Sequence, residues 1–451
     1  MTPSHLLHRC HQSRRAKTAL RLRARQLRAA TVGGAVALGA IAVPGPTQAA
    51  TVTINTAVNG TQFIGGGNDL EITAGGSITA PGSGSGDDGV RESAPGASIG
   101  SINNAGSITA TDSGIGASTG ATVGDISNSG SISAGLGIGL FAATANGNIT
   151  NSGSIEGFFV GISAAGSSTI DGAIQNQAGG TVSGSFFSGI QVSGGSVSNG
   201  ISNAGSITGF DAISIFSAEI NGGITNTGSI QGGYITDRII GGGLGVYSSA
   251  VITGGITNSG SIEGDNRVSE DGSIFISSPA QVTGGISNTG SLTGLLQIFG
   301  SDGAGGGIDV TNSGDIDLLD SESNISGDFT QTGTGTLAIT LLAFGDYTAA
   351  PLGIVGDASI DGDLLLDLDP GFAFSALDRL TLIGAGGTRT GTFSNYADGD
   401  LVYAFDSRRR MYLDYTADGV DLYTTPIPGT PLLIGLGLFA WAGARARRAR
   451  G

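Results

Sequence analysis

The nine residues "ITNSGSIEG" occur twice, letter for letter, at 149–157 and at 256–264. Near-copies stand at 201–209, 224–232 and 286–294. Aligned on the pattern Ile-x-Asn, the asparagines are Asn104, Asn128, Asn151, Asn176, Asn203, Asn226, Asn258, Asn288 and Asn312, spaced by 24, 23, 25, 27, 23, 32, 30 and 24 residues. A period in the twenties constrains the fold more than any other feature, because each repeat must then be one coil of a stack. Helical coils are excluded, since the units are built from Gly, Ser, Thr and Ile with almost no helix formers. The Leu-x-x-Leu-x-Leu spacing of leucine-rich coils is absent.

Each unit reads as strand, corner, strand. Ile149 opens the first strand, Asn151-Ser152-Gly153 form the corner, and Ile155 opens the next. Asn suits a corner because its side chain bonds nearby backbone, and Gly because it accepts positive φ. A further aromatic-tinged β segment precedes most motifs, such as "GIGLFAA" (137–143), "FFVGISAAG" (158–166) and "FSGIQVSGG" (187–195). About three short strands per coil describe an all-β, parallel β-helix, right-handed by the rule of crossover chirality. The repeat region is expected over 50–320, with a β-rich C-terminal part of the solenoid, or cap, over 321–423. Stacked coils lie about 4.8 Å apart, so Ile149 should pack between Ile126 and Ile174 or Ile201. The nine asparagines should form a hydrogen-bonded ladder. The long gaps after Asn226 and Asn258 mark loops that leave the stack, among them "EGDNRVSEDG".

Charge is segregated. Arg9, Arg14, Arg15, Lys17, Arg21, Arg23, Arg25 and Arg28 precede residue 29, and Arg445, Arg447, Arg448 and Arg450 close the chain. Between them lie all 36 acids and 8 arginines, a net charge of −28. So acidic a body repels polyanions, which excludes nucleic acid as a partner. The basic start, the apolar run Ala29–Val43 and the small residues Thr47 and Ala49 have the order of an export signal spanning 1–49. Cleavage there removes His5, His8, His11 and Cys10, which are all the histidines and the cysteine of the protein. The mature chain then has no thiol nucleophile, no imidazole base, no disulfide and no His/Cys metal ligands. No cofactor is expected.

After 320 the repeat fades into "GDFTQTGTGTLAITL" (327–341) and a Gly/Leu/Asp-rich stretch. Gly327, Phe329, Gln331, Thr336 and Leu337, then Gly356, Ala358, Gly362 and Leu364, resemble the strands that close the β-helical passenger of bacterial autotransporters and related adhesins. Leu377-Asp378 stands where that family has Gly-Asp, and barely 50 residues remain after 400, too few for the family's membrane barrel. Residues 424–451 instead join "TTPIPG", the apolar run Pro431–Ala444 and an Arg cluster. This tail resembles the PEP-CTERM sorting signals of Gram-negative bacteria, in their Val-Pro-Leu-Pro-Ala variant. Pro426, Ile427 and Pro428 match the motif, with Ile427 where the commoner form has Glu, and Arg445, Arg447 and Arg448 match the basic end. The resemblance implies a sorting transpeptidase of the exosortase type as a partner. It also implies surface or extracellular delivery, with 431–444 as a transient transmembrane helix.

Parallel β-helices also include polysaccharide hydrolases and lyases, which need converging carboxylates. The candidates are Asp265, Glu270 and Asp271 with Arg267 in one loop, and Asp87 and Asp88 near Arg91 in another. "GGGND" (65–69) is similar to a calcium β-roll turn but occurs once. The coil positions are otherwise Gly, Ser, Thr and Asn. The expected function is therefore that of an exported, non-enzymatic surface or matrix protein, contacting extracellular polysaccharide or other surface proteins. A glycan-cleaving enzyme is the alternative.

Overall fold

The computed structural model describes residues 49–426, apart from 83–85, 236–237, 240, 265–271, 320–321, 343–348, 370–371, 373–378 and 405–408. Nearly all of these belong to one compact unit, Ala49–Gly82 and Asp87 onward. It is all-β and built from stacked coils.

Four faces are distinguished by what each contributes to a coil. The first carries the Ile-x-Asn segments: fourteen strands from Thr51–Ile54 to Arg389–Gly391, all parallel and in strict register. At about 4.8 Å per strand the ladder is about 60 Å long. The second face carries the Ser-Ile segments, such as Thr181–Gly184, Ser206–Gly209 and Ser229–Gly232. The third carries the aromatic-tinged segments, such as Ser188–Ser193 and Asp211–Phe216. In two coils, Ser131–Phe141 and Ser154–Ala165, one long strand runs through both faces. The fourth face holds seven very short parallel strands, from Thr122–Val123 to Gln281–Thr283.

The fourth face corrects the expectation of three strands per coil. Its members are mostly two residues long, Thr169–Ile170 and Ser196–Val197 for example, too short to show any periodicity in the sequence. Three of the seven are followed by positive-φ glycine pairs, Gly222 with Gly223, Gly254 with Gly255 and Gly284 with Gly285, which disguise them as loop.

Inward residues form columns. Ile149 pairs with Ile126 on one side and Ile174 on the other. Ile155 lies between Ile132 and Val182 on the second face, and Ile162 between Ile138 and Ile190 on the third. All of these are buried. β-branched side chains suit this pleated interior because their restricted χ1 costs little to fix.

Parallel stacking continues well past 320, to Leu352–Ile354 and Arg389–Gly391. Only then does the chain reverse. Arg379–Ala385 pairs antiparallel with Gly419–Pro426, which pairs with Arg409–Tyr415, which pairs with Leu401–Ala404. Met411, Leu413, Val420 and Leu422 bury themselves beneath this meander, closing the C-terminal end of the core. Arg379 binds both Asp414 and Asp421 across the cap.

Candidate functional site

The repeated asparagines are buried inside the solenoid rather than displayed on it. Asn151 is the last residue of Ile149–Asn151 and is fully inaccessible. Its Nδ2 donates to Oδ1 of Asn176 at 2.8 Å, while the Thr181 and Gly153 carbonyls lie at 3.0 and 3.2 Å. The same link joins Asn104 to Asn128, Asn128 to Asn151, Asn176 to Asn203, Asn203 to Asn226, Asn226 to Asn258, Asn258 to Asn288 and Asn288 to Asn312, all at 2.7–2.8 Å. Every amide donates toward the C-terminal end, so the bonds polarise one another in one direction. Gln331, not foreseen as a member, extends the ladder by accepting from Asn312 at 2.9 Å. Ile72 occupies the equivalent position one coil before Asn104, which ends the polar column. With their polar atoms used inside, these residues are scaffold.

The glycine of each corner has a different reason from the one expected. Gly153 is not among the positive-φ glycines. A Cβ there would lie 2.0 Å from the carbonyl oxygen of Gly130 one coil earlier. Close backbone approach between coils, not a left-handed turn, excludes a side chain.

The acidic residues divide into three groups. Asp265, Arg267, Glu270 and Asp271 lie outside the described residues, and so do Ile427, Pro428, Arg445, Arg447 and Arg448. Pro426 ends the cap strand opposite Arg409. A second group was legible only as scattered charge. An Asp or Asn immediately before a first-face strand reaches the backbone of the next coil. Asp125 Oδ1 accepts the Asn148 N–H at 2.7 Å, and Asn148 Oδ1 accepts that of Ala173 at 2.9 Å. Asp309, Asp328 and Asp357 do the same for Asp328, Asp357 and Thr388 at 2.7–2.8 Å. The bonds from the Thr388 N–H and hydroxyl hold the Asp357 carboxyl below its ordinary range. In "GGGND", Asn68 Oδ1 accepts the Ala50 N–H and Asp69 Oδ1 that of Ser101. Gly66 and Gly67 make the positive-φ turn between coils. The sequence signal for this second ladder is the Asp or Asn that precedes the apolar residue in "GDISN", "GNITN" and "IDVTN".

The third group is Asp88 with Glu92 and Arg91. Asp88 Oδ2 accepts from Arg91 Nη1 at 3.1 Å and its Oδ1 accepts the Ser113 N–H at 3.0 Å. Burial pushes the Asp88 carboxyl upward, against the pull of Arg91 and Ser113. Glu92 turns into the solenoid, where Ser118 donates to Oε1 and Oε2 has no hydrogen-bond partner. These buried carboxylates line no open cleft in the described residues. Nor does any group of three or more His, Cys, Asp or Glu among the described residues have the arrangement to hold a metal ion.

An open groove of about 240 Å³ lies on the second face, lined by Ser183, Thr208, Gln231 and the glycines after them. Exposed phenylalanines stand beside it. Among the described residues no helix is long and apolar enough to cross a membrane, and the runs 29–43 and 431–444 lie outside them. The chain matches no protein-family model and no curated relative.

Proposed function

We propose that this chain is an exported, non-enzymatic structural and adhesive protein of the bacterial surface or extracellular matrix. One observation carries the reading. The acids of the coil corners, Asp69, Asp125, Asp309, Asp328 and Asp357, are spent on the backbone of the next coil. These five carboxylates are committed to rigidity rather than to proton transfer, which needs two of them free on one face. Between Glu156 and Glu263 the outward second-face row is Ser183, Thr208 and Gln231, groups that adhere without reacting. The tail resemblance supplies the route: an exosortase-type transpeptidase recognises Pro426-Ile427-Pro428 and delivers the chain outward.

The test is fractionation of cells expressing the tagged full chain, with intact mass of any surface-released form. The expected result is a surface or medium fraction whose mass lacks the N-terminal 49 residues. Cytoplasmic retention with an intact N-terminus overturns the reading. New reducing ends or unsaturated products from neutral or acidic polysaccharides would overturn the non-enzymatic part.

A further inference from the structure

Phe158 and Phe159 lie where Ser154–Ala165 turns from the second face to the third. Ala134 pairs with Gly157 and Leu136 with Val160, so two phenylalanines stand opposite the single Gly135. The bulge turns both rings outward. One coil later Phe186 and Phe187 fill the same corner, between Thr181–Gly184 and Ser188–Ser193, and the Phe187 N–H donates to the Phe159 carbonyl at 3.0 Å. The rings form one quartet. Phe158 lies 5.5 Å from Phe186 and Phe159 6.2 Å from Phe187, while the two rings of each coil meet edge to face at 4.9 and 6.0 Å. All four keep 40–56% of their surface exposed. One coil earlier Gly135 stands at this corner, and one coil later Phe210 does. Four adjacent rings left in water leave unused an apolar burial of roughly 25 cal/mol per Å², and a contiguous patch of this kind marks a contact site.

The groove begins beside the quartet. Phe210, whose backbone continues the ladder from Phe187, forms its wall. Its floor is a row of paired residues running along the stack, Ser183 to Thr208 to Gln231. Glu156 precedes the row and Glu263 follows it, accepting from Gln231 Nε2 at 3.0 Å. Gly184 at the end of its strand admits no side chain, since a Cβ there would strike the Ser188 carbonyl at 2.0 Å. The lining thus offers hydroxyls, an amide and aromatic faces, with no Lys or Arg.

We propose that this corner and groove bind an uncharged polysaccharide chain laid along the stack. Sugar rings present C–H faces that cover phenyl rings and equatorial hydroxyls that pair with Ser, Thr and Gln. The three coils of the floor offer one such polar group about every 4.8 Å, so a chain laid along the stack meets two hydroxyls and an amide in turn. The absence of cations in the lining and the net charge of −28 over the body exclude a polyanion. The inference rests on the extracellular reading above.

Affinity electrophoresis of the purified full chain tests it, in gels containing hydroxyethyl cellulose, laminarin or dextran, with polygalacturonate as the charged comparison. Retardation is expected in at least one neutral polymer and none in polygalacturonate. Phe186→Ala/Phe187→Ala and Thr208→Ala/Gln231→Ala should each weaken binding at least tenfold. Phe141→Ala/Phe216→Ala, equally exposed on another corner, should leave it unchanged. Matched thermal unfolding curves keep the variants comparable. The proposal is overturned by no retardation in any neutral polymer, by equal retardation of all variants, by preference for polygalacturonate, or by a change in oligomeric state with the quartet variant. Surface location without retardation overturns this inference alone, whereas cytoplasmic retention overturns the reading beneath it.

Discussion

Asn203 donates from Nδ2 to Oδ1 of Asn226 at 2.8 Å, and the two residues, 23 positions apart in sequence, are both buried. In the same ladder Asn203 accepts from Asn176. Asn203→Ala removes two buried amide hydrogen bonds, leaving Asn176 Nδ2 with the Gly180 and Ser206 carbonyls and Asn226 Oδ1 with only the Gly228 N–H at 3.3 Å. Two lost hydrogen bonds cost about 1–3 kcal/mol, so the urea midpoint should fall clearly. Ser202→Ala, one residue away and outward-facing, should stay within about 0.5 kcal/mol of the parent. Equal losses would mean the ladder contributes nothing specific.

Two glycine substitutions separate space from conformation. Gly153→Ala places a methyl 2.0 Å from a neighbouring carbonyl, while Gly179→Ala meets nothing within 4 Å but holds φ at +82°. The second should cost about 1–2 kcal/mol, the price of one left-handed residue. The first requires two coils to separate and should cost more, at least the 1–3 kcal/mol of an overpacked core. Thermal unfolding of both variants checks the order, and Gly179→Ala proving the worse would refute it.

Asp211 and Asp357 give opposite pH signatures. Burial raises the Asp211 carboxyl above its ordinary value, although the Tyr247 hydroxyl and the Gly242 N–H donate to it. The folded state then holds its proton more tightly than the unfolded one, so stability falls as pH rises from the ordinary aspartate range through the raised value. Asp211→Asn should flatten that slope in urea midpoints taken across mildly acid pH. Asp357 is held low, so its contribution is present above the ordinary range and disappears as pH falls through the lowered value. Asp357→Asn should flatten the acid limb and leave the Asp211 slope intact. Unaltered profiles in both variants would remove these two groups from the account.

The cap hangs on Tyr415. Its hydroxyl accepts the Phe393 N–H at 2.9 Å and donates to the Tyr396 carbonyl at 2.8 Å, and Arg389 lies over its ring at 5.1 Å. Tyr415→Phe should loosen the cap without disturbing the coils, because each coil contacts only its neighbours. Hydrogen exchange should rise over 392–400 and stay unchanged over the first-face strands near Asn151. Uniform acceleration along the stack would contradict this.

The solenoid was legible because its columns are written in the sequence. Ile149 and Asn151 repeat with their neighbours, and a stacked fold gives each copy the same surroundings. The fourth face was not legible, since two residues such as Thr169-Ile170 carry no period. The aspartate ladder was visible only as an Asp or Asn before some of the strands, as in "GDISN", "GNITN" and "IDVTN", but its partner is a backbone N–H one coil away, which no residue type announces. The aromatic corner was noted only as aromatic colour in the third strand. Its grouping depends on a bulge at Gly157 that brings rings from two coils together. The sequence shows Asp88 only as a loop acid near Arg91, yet Asp88 and its neighbour Glu92 are 4% and 3% exposed, Glu92 because Val90–Glu92 turns alternate side chains inward.

The identical coils at 149–157 and 256–264 have an evolutionary consequence. Asn151 and Asn258 sit in one ladder with the same kinds of neighbour above and below. Near-identical coding segments recombine, and the product of an unequal exchange gains or loses whole coils. No new packing must be invented, because each junction restores Ile on Ile and Asn on Asn. The length of such a protein is thus a heritable variable that changes in steps of one repeat, while its two ends stay fixed.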